Sequence, residues 1–488
     1  MKQLFFASVL LFLLRGLLFA EEGPPPRDAV ELRLEEAVRT ALLENLALKR
    51  SALDVESARA DVLVNEGEFD PAFGVDLLYS YEKRQSVSRL VSPEDREVIY
   101  DLSFGGKLRT GTEYTLEWAN RKVKTNLFFA DLDRYYSSEL RLNLSQPLLK
   151  GLGRDVQEAR VRAAISAVGS AGLRDRRRAE EIILDTGSAY WELGFRMVEL
   201  DVARLSLRFA EALLNEIRQK IEIGTLAPIE AYEAEAEVYS RREAIINAEK
   251  ALKDAGDNLK RILNLPDWSK DIFPSDQPTP PAVARIPEEP LSDVLQRRFD
   301  YRAALEDIRN REILEKFYRN QTLPELNILG GAGLNAAQGE LGRTYSDLGS
   351  TDYYSWEVGL GFSLPLENRT AKGTYNKARY EADKAKLAAT ELEQNILYEL
   401  REARRALMAS GQTIEAAESR RIAAQKRFEA ERERFRVGFA VLNDVFRLEV
   451  DYNTAVSDEN RARANYAIAL MRLEQASGRL LEKYAGTQ

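Results

Sequence analysis

The chain has 488 residues, 70 basic and 79 acidic side chains, and neither cysteine nor histidine. Without those two residue types there is no disulfide, thiol nucleophile, haem ligand by His or Cys, zinc site of the usual ligands or Ser-His-Asp triad. A net charge of −9 argues against tracking a nucleic-acid backbone, and 44% hydrophobic with 31% charged residues fits neither a disordered chain nor a helical membrane protein.

Residues 1–20 read as an export signal: Lys2 precedes the apolar run Leu4–Leu14, and Ala20 is a small residue at the cut. The signal holds no cysteine for lipid attachment, and export without cysteine points to a Gram-negative envelope. Beyond it, no run approaches the roughly 18 apolar residues of a transmembrane helix. A tail at 21–30 leads to a first unit over 31–264, opened by a helix. Pro71 ends that helix, and alternating segments follow within 70–146: Phe73–Tyr81, Glu113–Trp118 and Glu139–Leu144. A proline-free stretch at 155–222, a glycine turn and a second at 230–264 predict a long helical hairpin. The proline-rich segment 265–290 reads as an irregular linker. A second unit over 291–478 repeats the order: helix, Pro324, strands within 324–364 including Trp356–Leu364, Pro365, and a helical hairpin at 372–478. A tail at 479–488 remains.

The two units superpose at a shift of 214 residues through the helical regions: Leu193 meets Leu407, Gly224 meets Gly438, Glu230 meets Asp444 and Glu235 meets Glu449. Leu193, Leu200, Leu207, Leu214 and Ile221 keep a seven-residue spacing, as do Leu400, Leu407, Ile414, Phe428 and Phe435, with Arg421 the one break. That spacing marks coiled-coil packing over helices of roughly 100 Å at 1.5 Å per residue. Each unit is expected to supply about two strands, hence four per chain. A closed barrel needs about eight or more, and an open aromatic sheet leaves two adhesive edges. A dimer would supply about eight strands and a trimer about twelve. Tyr79, Tyr81, Tyr100, Tyr114, Trp118, Tyr135, Tyr136, Tyr353, Tyr354 and Trp356 are candidates for aromatic girdles at a bilayer surface. The polar segments 84–97 and 335–352 are expected to be external loops.

The opening run Leu34–Asn45, the segment Ser145–Asp155 entering the long helix, and the paired hairpin turns Ile223–Glu230 and Val437–Asp444 together resemble the TolC-like outer membrane efflux protein family over about residues 31–480. The resemblance implies a mixed α and β membrane protein. Three chains would build a twelve-stranded outer membrane β-barrel, four strands from each, continuous with a long α-helical coiled-coil barrel across the periplasm. It further implies the exit duct of a tripartite efflux pump or type I secretion system. The partners would be a periplasmic membrane-fusion adaptor, an inner-membrane transporter of the resistance-nodulation-division or ABC type, and outer membrane lipid. No cofactor, metal, nucleic acid or enzymatic activity is expected. Many relatives carry a lipidated cysteine after the signal; this chain does not. A periplasmic coiled-coil scaffold or adhesin without a pore explains the helices but not the strands. A hydrolase using Glu230, Glu233 and Glu235 is weaker still, because helical carboxylates are usually a solvated face.

Gly224 and Gly438 each end a helix, where the left-handed conformation favours glycine, and Pro228 starts the next helix at little cost. The resemblance makes these turns the adaptor-docking tips, through Gly224, Thr225, Leu226, Gly438, Phe439 and Ala440, with residues 225, 226, 439 and 440 the most exposed. Glu230 and Asp444 each lie six residues past the hairpin glycine. In a trimer they would set about six carboxylates around one narrow end, attracting cations. The resemblance adds that an Asp after the second hairpin glycine lines the closed periplasmic entrance. A second Asp common three residues further on is here Arg447, with Glu233 at the matching place in the first unit. Arg447 pairs with Asp444 or Glu233 to hold the entrance shut, or else faces a neighbouring helix. Glu230 and Asp444 also suit the first turn of a helix, where the dipole favours an acid by roughly 0.3–1 kcal/mol.

Overall fold

The computed structural model describes residues 30–85, 92, 94–125, 131–278 and 289–485. The expected export signal, most of the tail after it, residues 86–91 and 93 of an expected external loop and residues 279–288 of the expected linker lie outside the described residues.

In chain order the elements are β1 (Val30–Leu32), α1 (Leu34–Glu44), α2 (Leu46–Glu66), β2 (Ala72–Lys83), β3 (Glu94–Lys107), β4 (Glu113–Thr125), β5 (Arg134–Pro147), α3 (Ala159–Glu222), α4 (Ile229–Leu263), β6 (Ile272–Pro274), α5 (Leu291–Arg297), α6 (Phe299–Asn320), β7 (Glu325–Gln338), α7 (Leu341–Ser350), β8 (Tyr354–Ser363), α8 (Arg369–Arg436), α9 (Leu442–Ala476) and α10 (Leu480–Ala485). The proline-free stretches became α3, of 64 residues, and α8, of 68. Among the described residues no helix is long and apolar enough to cross a membrane. The chain divides into two compact units.

One unit comprises Met1–Ala52, Arg174–Phe299 and Glu393–Gln488. Its seven-residue stripe is the core: Leu193, Leu200, Leu214, Leu400, Leu407, Ile414 and Phe435 are all buried, each such side chain contributing about 1.5–3 kcal/mol by leaving water. Arg421, the break in the stripe, hydrogen-bonds through Nε to Oε2 of buried Glu459 on α9, so the charge is not left alone in the packing. Near the chain start, Ala37, Val38 and Ala41 of α1 pack with Ile183, Tyr190, Leu259, Leu263 and Met471. The Tyr190 hydroxyl donates to the Leu32 carbonyl at 2.9 Å. Within the stretch expected to be irregular, β6 pairs in parallel with β1, Val30 opposite Ile272.

The other unit comprises Leu53–Leu173 and Asp300–Leu392. Its helices are tied by polar contacts: Ser170 Oγ donates to Asp307 Oδ1 at 2.8 Å, and Asn310 Nδ2 donates to the Ala163 carbonyl at 2.6 Å. Its sheet is antiparallel with the order β2-β3-β4-β5-β7-β8. The expectation of four strands per chain is therefore corrected to six in this sheet among the described residues. Residues 94–97, expected in an external loop, are the start of β3; residues 335–338 are the end of β7; and α7 occupies most of the remainder of 335–352. The hydrogen-bonding needs of the backbone explain the extra pair. Residues 94–125 have a partner strand on each side, and the turn between them closes with Leu108 N–H to Thr112 O and Gly111 N–H to Leu108 O, both 2.8 Å. Gly111 takes φ +95°, the role glycine commonly plays after a tight hairpin turn.

Candidate functional site

Both hairpin turns have the same backbone chemistry. Gly224 sits at φ +76° and donates to the Ile221 carbonyl at 2.9 Å, and Thr225 N–H reaches back to Lys220 O at 2.8 Å. Gly438 sits at φ +84°, with Phe439 N–H bonded to Arg434 O at 2.8 Å. These bonds satisfy last-turn carbonyls that a helix leaves open. A compact core lies just behind the turns: Leu213, Ile217, Ala234, Phe435, Leu442, Val445 and Phe446. Leu226 and Ala440 are half-buried against it, so the expectation that they are among the most exposed tip residues is corrected. Their short reach from the turn lets them fold back onto apolar neighbours. Thr225 and Phe439 are exposed, Phe439 at 76%, and the structure adds Ile223, Val437 and Val441 as exposed apolar side chains that the sequence reading passed over.

The candidate gate residues sit just past the turns. Glu230 and Asp444 both fall in the first turn of their helices and are half-buried. Arg447 Nη2 donates to Asp444 Oδ1 at 2.9 Å, one turn along α9, with side chains 60% and 39% exposed. Of the alternatives for Arg447, the structure brings together Arg447 and Asp444, not Arg447 and Glu233. Such a surface pair is worth about 0–1 kcal/mol. Glu230 and Glu233 form no ion pair among the described residues.

Five residues past Asp444 lies a group that sequence reasoning missed. Glu449 is only 3% exposed. Its Oε1 accepts from Ser206 Oγ on α3 at 2.6 Å and from Asn453, and its Oε2 accepts from Arg241 Nη2 on α4 at 3.1 Å. Burial pushes this carboxyl above the usual glutamate range, while the Ser206 bond and the Arg241 charge pull it down. One carboxylate thus ties three helices from both hairpins. The signal was present in the sequence: Leu442, Val445, Phe446 and Glu449 lie on one helical stripe, and an acid on an apolar stripe asks for a buried partner.

The sheet has two unlike faces. One row of opposed residues runs across all six strands as Phe73, Phe104, Leu116, Leu142, Ala332 and Trp356. The next row along runs as Gly74, Ser103, Glu117, Arg141, Gly333 and Ser355. Along these two rows, period two puts apolar side chains on one side and mostly polar or small ones on the other. Leu77, Tyr79, Trp356, Val358 and Leu360 stand exposed on the apolar side. Tyr79, Tyr81, Tyr100, Tyr114, Trp118, Tyr136, Tyr354 and Trp356 share that side, whereas Tyr135, opposite Val123, falls on the polar face. The polar face holds ion pairs between Arg141 and Glu357 at 2.7 Å and between Arg121 and Glu97 at 3.9 Å. Gly331 leaves room there: a Cβ would lie 2.9 Å from the Glu357 side chain.

Residues 37–265 and 291–479 match the family model described as outer membrane efflux protein. The chain is 23% identical to outer membrane protein TolC of Escherichia coli (strain K12) over 334 residues, which is 64% of this chain and 65% of that protein. The match thus spans just under two thirds of that relative's length. The fold is similar to the CmeC outer membrane channel of Campylobacter jejuni, with a TM-score of 0.68 and 19% identity over 92% of this chain and 86% of that one. It is also similar to a membrane protein from Pseudomonas aeruginosa, with a TM-score of 0.70 and 17% identity over 94% and 98% of the two chains. A third similar structure is the outer membrane protein VceC of Vibrio cholerae, with a TM-score of 0.67 and 14% identity over 91% and 96%.

Proposed function

The chain belongs to the outer membrane efflux protein family, and from that premise we propose that it is the passive exit duct of a tripartite efflux pump or a type I secretion system. The protein is located in the outer membrane, with its helical portion in the periplasm. Three copies join their sheets into one barrel and their helical hairpins into a coiled-coil tunnel. A periplasmic adaptor grips the tips at Gly224–Leu226 and Gly438–Ala440, and an inner-membrane transporter supplies the cargo. Glu230 and Asp444 ring the narrow entrance, with Arg447 held on Asp444.

The observation that carries this reading is the two-faced sheet. A soluble sheet buries its apolar side; here Leu77, Trp356, Val358 and Leu360 stay exposed while the opposite face carries charges. Lipid outside and water inside satisfy both faces at once. Conduction along such a wall makes and breaks no covalent bond.

The test is a tip variant, Thr225→Glu with Phe439→Glu, in cells that depend on the duct. Efflux should be lost while the amount of outer-membrane oligomer stays at the parental level. Undiminished efflux would remove the tips from adaptor docking, and a soluble parent monomer on fractionation would remove the duct reading itself.

A further inference from the structure

We propose that the hairpin of β3 and β4 stands in the membrane wall, so that three chains close an eighteen-stranded barrel rather than a twelve-stranded one. The inference rests on the duct reading and on the trimer within it. Three observations carry it.

The first is continuity of the faces. The row from Phe73 to Trp356 crosses β3 at Phe104 and β4 at Leu116 without a polar interruption. The polar row crosses the same two strands at Ser103 and Glu117. A hairpin folded away as a plug or an outer loop has no need to keep the lipid-side and water-side alternation of its neighbours. The second is length. β3 has 14 residues and β4 has 13, at least as long as the 12 of β2 and the 10 of β8. All reach the roughly 9–11 residues a tilted strand needs to span the hydrocarbon, and β3 and β4 exceed it. The third is the pair of free edges. Among the described residues the outer edges of β2 and β8 are unpaired, and both strands expose apolar side chains, Leu77 and Trp356 among them. With six antiparallel strands the first and last run in opposite directions. β8 of one copy therefore meets β2 of the next in antiparallel sense, and the apolar rows continue across the seam. Open edges of this length are otherwise a liability, and a second copy of this chain is the occupant whose pattern matches.

Barrel diameter grows roughly linearly with strand number, so eighteen strands give about 1.5 times the diameter and about 2.25 times the cross-section of twelve. The exit through the membrane then takes bulky hydrated cargo.

Electron cryomicroscopy of the purified full chain counts strands and copies directly. Eighteen strands from three copies is the expected result. Twelve strands from three copies, with residues 94–125 outside the wall, would overturn the proposal and leave the duct standing. Twelve strands from two copies would overturn it through the trimer. Absence of any closed barrel would remove the duct reading together with the proposal. A functional check uses the lack of native cysteine. Asn143→Cys, on the polar face of β5, is labelled from outside whole cells with maleimide polymers of graded size, in the parent and in a variant lacking residues 94–125. The parent should admit polymers about 1.5 times wider than the variant. Equal cut-offs in two assembled trimers would overturn the proposal; if the variant does not assemble, the strand count decides.

Discussion

The first and second halves of the chain place an acid at the same distance past a glycine turn, and the two acids lead different lives. Glu235 on α4 meets Arg218 at 2.5 Å with both side chains well exposed. Glu449 on α9 is buried and holds Ser206, Asn453 and Arg241. The strand-bearing segments diverge as well: of the six-stranded sheet among the described residues, β2 to β5 come from the first repeat and β7 and β8 from the second. Similar sequence positions thus do different physical work once neighbours are assigned. The second hairpin is anchored through a buried charge, while the first keeps its matching charge in water.

The largest test of that contrast is Glu449→Ala against Glu235→Ala. Removing Glu449 takes their shared acceptor from Arg241 and Ser206, while Arg241 keeps Glu237 on its own helix, and should cost about 1–3 kcal/mol. Removing Glu235 breaks a solvent-screened pair and should cost about 0–1 kcal/mol. Thermal melting followed by the helical circular dichroism signal reads both, and equal shifts would erase the distinction between the hairpins. The turns should show the opposite, namely sameness. Gly224→Ala and Gly438→Ala each force a side chain into the left-handed region and should cost about 1–2 kcal/mol. No atom crowds a Cβ at either glycine, so backbone strain alone sets the loss. A large difference between these two variants would show that one turn is held by something beyond its cap.

Glu230→Ala and Asp444→Ala should each cost only about 0.3–1 kcal/mol from the helix dipole. Planar-bilayer recordings should nonetheless show higher conductance and weaker cation selectivity. If conductance and selectivity stay at parental values, these acids serve only their helix starts and the entrance is narrowed elsewhere.

Legibility followed local pattern. The long helices could be read because a seven-residue apolar spacing and the lack of proline act over every turn. The tip glycines were readable because only their backbone conformation demands them. β3 was missed because its first residues, Glu94, Asp95, Arg96 and Glu97, resemble a solvated loop. The end of β7 was read as loop because its last residues, Asn335–Gln338, run into the polar segment that follows.

By itself the sequence determined where the long helices run, where they turn and that some strands have one apolar side, since these follow from short-range spacing along one chain. Only the tertiary structure decided that residues 94–125 pair on both sides within a six-stranded sheet, that Arg447 holds Asp444, and that Glu449 rather than Glu235 is buried. Those outcomes depend on which distant segment supplies the partner: strand pairing, ion pairing and burial are all settled by groups far away in sequence, and no local periodicity encodes them.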